Sequence, residues 1–451
     1  MSIGSSLFAM RWNHERLSSR SGTPLGGRRA VGFSLRSRGY TRGMGWISFV
    51  VEVVVVGMTL GGIAYGVIAL WGARDFERAG RGVVRAGYAP GVSILKPVRG
   101  VDARMYAGLV SHCVQEYAGE YELLFGVSSL EDAAVAEVAR LRVEWPEVSI
   151  RLVECPERLG SNGKVSNLAQ MVPHASYEYV VVNDSDIRVG PDYLERVMGA
   201  FAGYGGEEKK QIPIGNDSQK SKGQSAGEVG LVTVPYMGRA ERSLWSRLEA
   251  LGISTEFMPG VLAARKLEGG IRFGLGSTLA TTKTALAAMG GFEALVDQLA
   301  DDYELGARLS AKGYRVELVH AVVETTVPAY TLRGFCEHQL RWARSTRDSR
   351  RWGYVGMGVT YVVPWAMAAV VASGFSLWAI SMLSMALLVR MSVALTVGVG
   401  ILRDGQVLRD VWLLPLRDCF GVFFWAWSYA GDTVVWRGER FRLKRRVLER
   451  Q

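Results

Sequence analysis

The run Val180-Val181-Val182-Asn183-Asp184-Ser185-Asp186 ends an apolar stretch on two carboxylates spaced i, i+2. On extended backbone, side chains at that spacing point the same way, so both can reach one hard cation. A Mg²⁺ or Mn²⁺ ion held by so few protein oxygens keeps room for the phosphates of a substrate. Taken alone, the pair could equally cap a turn. Three further clusters carry chemistry. Glu131-Asp132 follows a second apolar run and could meet a nucleoside or simply cap a helix. Asp301-Asp302-Tyr303-Glu304-Leu305-Gly306 opens a helical pattern. A carboxylate at a helix N-terminus is held ionised by the dipole and can act as a general base, or it can be no more than a cap. His338-Gln339-Leu340-Arg341-Trp342-Ala343-Arg344 sets cations beside a Trp. Arg341 could stabilise a leaving diphosphate while Trp342 offers a flat face, or the cluster could anchor the chain at a membrane surface.

These residues need strands and helices to hold them. Gly91–Leu95, Glu122–Ser128, Ser149–Val153 and Val180–Asn183 read as strands. Between them Met105, Leu109 and Cys113, then Val135, Val138 and Leu141, then Val165, Leu168 and Val172 recur at helical spacing. Alternating strands and helices imply parallel strands with crossovers, hence an α/β sheet with its site at the carboxyl ends of the strands. Asp132 and the Asp184/Asp186 pair fall at such ends. The polar stretch 207–228 reads as an exposed insertion loop.

Apolar residues make up 49% of the chain but are unevenly spread. Residues 47–71 carry one charge, Glu52, and are long enough to cross a bilayer. Residues 354–402 carry one, Arg390, and suit a membrane hairpin. Residues 411–435 hold Arg417, Asp418 and Asp432 among several Trp and Phe, which suits an interfacial helix or a third membrane segment followed by a basic tail, within 403–451. A net charge of +10 is concentrated beside the apolar segments, which favours lipid headgroups and argues against nucleic acid. Four scattered cysteines, Cys113, Cys155, Cys336 and Cys419, read as reduced and cytosol-facing. The first 46 residues are basic, lack apolar periodicity and are expected to be disordered, with Met44 an alternative start. The segment 72–353 is then the catalytic domain.

The order of Asp132, Asp184-Ser185-Asp186, Asp302 and Arg341-Trp342 between membrane segments resembles the membrane-bound family 2-type glycosyltransferases. The runs 93–102, 184–192, 230–232 and 300–303, with the late Trp436-Arg437-Gly438-Glu439-Arg440-Phe441-Arg442-Leu443, are most similar to glycosyltransferase family 21, the ceramide glucosyltransferases and their bacterial relatives. That resemblance implies a GT-A-type nucleotide-diphospho-sugar transferase domain with N-terminal and C-terminal transmembrane helices. It implies Asp184 and Asp186 as holders of a divalent cation, Mg²⁺ or Mn²⁺, against the diphosphate. It implies Asp302 as catalytic base, with Arg341 and Trp342 closing a Gln/Arg-x-x-Arg-Trp motif. Lys96, Arg99, Asp132, Asp184 and Gly276 fall to the substrate and nucleotide.

Two departures stand out. His338 occupies the first position of the last motif, and Asp186 stands where the animal ceramide enzymes have Gly. The His338 motif and Phe273-Gly274-Leu275-Gly276-Ser277-Thr278 also resemble bacterial hopanoid-modifying relatives, which transfer N-acetylglucosamine to a bacteriohopanepolyol. The expectation is an inverting transferase moving a hexose from a UDP-sugar to the hydroxyl of a membrane lipid. Its catalytic domain would face the cytoplasm, at a bacterial inner membrane. A processive polysaccharide synthase would want more crossings, and a non-catalytic scaffold would not need its acidic positions.

Overall fold

The computed structural model describes residues 38–80, 87–102, 104–204, 227–436, 439–444 and 446–450. The expected disordered start up to residue 37, and the 207–226 part of the insertion loop, lie outside the described residues. The chain divides into two units, Met1–Phe49 and Val50–Gln451, and the account below concerns the second. Helix α1 covers Arg38–Gly80.

The alternation seen in sequence folds as β1 (Val92–Pro97), α2 (Met105–Cys113), β2 (Tyr121–Val127), α3 (Ala134–Glu144), β3 (Ser149–Glu154), α4 (Gly163–Met171) and β4 (Tyr179–Val182). β1 pairs in parallel with β2 and β4, and β2 with β3. All six residues of β1 are buried, as expected for a strand covered on both faces. The chain continues through α5 (Tyr193–Gly199), β5 (Val229–Thr233), β6 (Tyr236–Ala240), α6 (Leu244–Gly252), α7 (Met258–Glu268), β7 (Leu279–Thr282), α8 (Lys283–Ala288), α9 (Asp301–Ala311), β8 (Arg315–Leu318), β9 (Val323–Val327) and α10 (Leu332–Ser349). The main sheet has seven strands in the order β3-β2-β1-β4-β7-β5-β8. It is mixed rather than wholly parallel, because β7 runs antiparallel to both β4 and β5. β6 and β9 pair in parallel as a separate two-stranded layer.

The last part holds α11 (Arg351–Thr360), α12 (Val362–Ala372), α13 (Leu377–Val393), α14 (Gly405–Asp410), α15 (Leu414–Ser428), β10 (Thr433–Trp436), β11 (Glu439–Lys444) and β12 (Val447–Arg450). Among the described residues two helical stretches, Gly45–Gly80 and Leu377–Ile401, are long and apolar enough to cross a membrane. α11 and α12 pass the same test only together, and they are bent by 55°. The bend has a local cause: Pro364 has no N–H to give the Thr360 carbonyl one turn earlier. The first arm of the expected hairpin is therefore a broken helix.

The basic end of the chain is folded as strands rather than a tail. β10, β11 and β12 form an antiparallel sheet whose Val434, Phe441, Leu443 and Leu448 pack on Leu299. Arg440, Arg442 and Lys444 alternate with those apolar residues, so the charges that look like a tail are the outer face of a strand. Within α15 the buried Asp418 takes a bidentate ion pair from Arg390 of α13, at 2.8 Å. At its far end α1 docks on the α/β domain. Asp75 pairs with Arg265 and Lys266 of α7 at 2.8 Å, and Phe76 stacks on His320 with ring centroids 3.6 Å apart. Gly72 sits so near α7 that a Cβ there would lie 2.4 Å from the Leu262 carbonyl oxygen.

Candidate active site

β4 ends at the centre of the sheet, and the chain leaves it through Asn183. This buried amide donates to Tyr193 Oη, the Ser277 carbonyl and Thr278 Oγ1 at 2.8–3.1 Å. Its backbone N–H bonds the Leu95 carbonyl of β1. The junction is thus locked on both sides, and Asp184 emerges from it. Asp184 remains 40% exposed and accepts a 2.7 Å ion pair from Lys164, in the first turn of α4. Lys164 also reaches Asp301, at 3.6 Å. Burial works against the ammonium, but Asp184 and Asp301 outweigh it and hold its pKa above the usual lysine value. Lys164 therefore ties the end of β4 to the start of α9.

Asp186 turns inward. Its carboxylate accepts from Thr325 Oγ1 at 2.6 Å and from the Thr326 N–H at 3.2 Å, both on β9. Burial and then the nearby Asp184 charge raise its pKa. Asp302 lies one residue into α9. Burial, then Asp301, push its carboxyl up to about 6, while Lys164 opposes them. A Cβ on Gly276 would come within 3.1 Å of Asp302 Oδ2, so the glycine leaves the space beside that carboxylate open. One phenol reports the convergence: Tyr236 on β6 has its pKa raised by burial and by the charges of Asp302, Glu249, Asp184 and Asp186.

α10 supplies aromatic and cationic groups. Trp342 packs against Phe257 and His338, with ring centroids 6.0 and 5.3 Å apart, and Phe257 in turn meets Tyr236 at 5.5 Å. Arg341 acts on the Tyr330 phenol beside Asp186 and Glu249. The structure thus brings Asp184, Asp186, Asp302, His338, Arg341 and Trp342 around one region. The other expected residues take supporting places. Asp132 Oδ1 accepts the N–H groups of Gly100 and Ala134 at 2.7 and 2.9 Å, tying the loop after β1 to the start of α3. Lys96 is fully buried, its amine 3.1 Å from the Asp184 carbonyl, and burial lowers its pKa to about 7 against Asp186 and Asp184. It supports the Asp184 turn from beneath. Arg99 is exposed in the loop beyond β1.

Residues that the motifs did not single out complete the region: Lys164, Tyr236, Glu249 and the Thr325-Thr326 pair. Only Lys164 had a visible signal, since Gly160-Ser161-Asn162-Gly163 precedes it as a loop opening a helix. Among the described residues no group of three or more His, Cys, Asp or Glu is placed to hold a metal ion. Asp184 and Asp186 still suit a divalent cation whose other ligands are waters and a diphosphate. Burial, then the Asp184 charge, raises Asp186, and an adjacent cation would offset both.

Ceramide glucosyltransferase 3 of Caenorhabditis elegans is 26% identical over 255 residues, which cover 56% of this chain and 50% of that protein. Ceramide glucosyltransferase 1 of the same organism is 25% identical over 256 residues, covering 56% and 49%. The match thus spans about half the length of either relative. Among solved structures, the mannosyltransferase PcManGT from Pyrobaculum calidifontis, in complex with GDP-Man and Mn²⁺, has a TM-score of 0.46 at 18% identity, over 84% of this chain and 97% of that one. Residues 1–349 of S. aureus TarS have a TM-score of 0.32 at 12% identity, over 78% and 96%. Residues 54–220 and 221–447 match the model of glycosyl transferase family 21, so the chain belongs to that family.

Proposed function

We propose that this chain is an inverting glycosyltransferase that moves a hexose from a UDP-sugar to the hydroxyl of a membrane lipid. The observation that carries the reading is the convergence of Asp184, Asp302 and the α10 wall in a domain whose α1 and α10–α13 connect it directly to membrane-spanning helices. Asp184 and Asp186 would hold a divalent cation, which supplies positive charge for the donor diphosphate. Asp302, in the first turn of α9, accepts the proton of the acceptor hydroxyl as its oxygen attacks the anomeric carbon. A carboxyl with a pKa of about 6 is ionised at neutral pH yet basic enough for that step. Arg341 offsets charge on the departing UDP, and Trp342 offers its face to the sugar. Asp132 and Arg99, on adjoining loops, face the nucleoside end, and Gly276 keeps the acceptor side of Asp302 clear.

The acceptor follows from placement. α11 continues directly from α10, so a lipid hydroxyl can approach Asp302 while its tails remain in the bilayer. The names of the relatives favour a ceramide as acceptor, and a bacteriohopanepolyol is the alternative that the α10 motif resembles. The catalytic domain is assigned to the cytoplasmic face of a bacterial inner membrane, where nucleotide sugars are made and cysteines stay reduced. The test is incubation of the purified chain with UDP-glucose or UDP-N-acetylglucosamine and each lipid, followed by mass spectrometry. A lipid gaining one hexose or one N-acetylhexosamine supports the reading. Polymeric product, or no sugar on any lipid, refutes it.

A further inference from the structure

Glu249 has no place in the mechanism above, yet it is a buried carboxylate only 3% exposed, on α6 beside the catalytic region. Its Oε2 takes His338 Nδ1 at 3.0 Å and the Gln339 amide at 3.2 Å. The His338 ring is held between Tyr330 and Trp342, at centroid distances of 5.4 and 5.3 Å. A carboxylate bonded to Nδ1 makes that nitrogen the donor and leaves the lone pair on Nε2. Among the described residues Nε2 has no partner, and it is not among the side-chain atoms buried without one. The imidazole is therefore fixed in tautomer, flanked by two aromatic rings, and turns an unused acceptor nitrogen toward accessible space. The Tyr330 phenol stacked on this ring feels the charges of Glu249, Arg341 and Asp186, so the Tyr330–His338 pair lies near those groups.

We propose that Glu249 and His338 form a carboxylate–imidazole pair that recognises a hydroxyl of the acceptor lipid, an inference that rests on the lipid-transfer reading above. Glu249 is the positioning residue. His338 Nε2 accepts a hydrogen bond from an acceptor hydroxyl and so orients the head for attack. The pair selects hydroxylated heads, which Gln or Arg at position 338 would meet with different donors and acceptors.

Three measurements test this. In ¹⁵N-histidine spectra, five histidines give few signals, and His338, assigned through H338Q, should show an acceptor-type Nε2 in the wild type. E249L, which leaves Nδ1 no acceptor, should abolish that signature, and an unchanged His338 resonance would overturn the pair. In steady-state transfer to whichever of the two lipids gains sugar in that assay, E249L should raise the acceptor KM about 10-fold or more, as for loss of a carboxylate that orients an imidazole. The donor KM should move less than twofold, and an equal rise in both would overturn the assignment to the acceptor. In the H338Q background, E249L should add nothing, because it acts through the imidazole. An additive loss there would overturn the positioning role. Wild-type transfer to no lipid would instead defeat the parent reading, while the spectra would still decide whether the pair exists.

Discussion

Replacing Lys164 by Met gives the sharpest check on how the site is assembled. The ammonium bonds Asp184 at 2.7 Å and lies 3.6 Å from Asp301, and it opposes the rise of the Asp302 pKa. Its effect on Asp302 runs through space, without a hydrogen bond, so it falls below the 1.5–3 kcal/mol of a direct charge-assisted bond, at about 1.4 kcal/mol. That amount corresponds to about one pKa unit. The sign follows from the charge. A cation favours ionised Asp302, so its removal leaves burial and the Asp301 and Asp184 charges unopposed and raises the pKa further. The general base must be ionised, and kcat/KM in the wild type should fall as pH drops through about 6. In K164M the acidic limb should move to about pH 7, a shift of about one unit. Initial rates of UDP release in nanodiscs between about pH 5 and 9 would show it, with K164R, which keeps the charge, retaining the wild-type limb. A folded K164M enzyme whose acidic limb stays where the wild type has it would refute the electrostatic link between β4 and α9.

Other expectations are as direct. Asp302→Asn should lower kcat by about 10²–10⁴ while leaving UDP-sugar affinity, measured by isothermal titration, nearly intact; near-normal turnover would remove its role as base. Chelation with EDTA should abolish transfer, and added Mn²⁺ or Mg²⁺ should restore it; full activity in EDTA would dismiss the metal role of Asp184 and Asp186. Asp418→Ala leaves Arg390 buried without its partner, at a cost of about 3–5 kcal/mol, so thermal unfolding in detergent should come much earlier. The double variant R390L/D418L should recover most of that loss, and a D418A protein melting like the wild type would contradict the ion pair.

Much was legible before any coordinates, for a definite reason. Period-two and period-3.6 patterning is a local property, so β1, β2, β3 and β4 could be read to within two residues and the helices between them by their apolar positions. Asp184 and Asp186 stand out because a strand end is itself local, and long apolar runs declare membrane helices by length alone. The C-terminal sheet was obscured because one face of each strand is basic, and alternating charge on a short segment looks like a tail. The antiparallel entry of β7 was invisible because strand direction depends on where the intervening α6 and α7 place the chain.

Sequence alone determined which carboxylates exist, on which strand and helix ends they sit, and that the domain hangs from apolar helices. Only the tertiary structure decided how they meet. Lys164, bonded to Asp184, reaches Asp301 across 137 residues of chain, and Glu249 reaches His338 across 89. Such pairs carry no periodicity or spacing, because what joins them is the closure of the fold around a buried charge. That charge is stable only where its partner waits, and the partner is set by packing rather than by neighbouring residues.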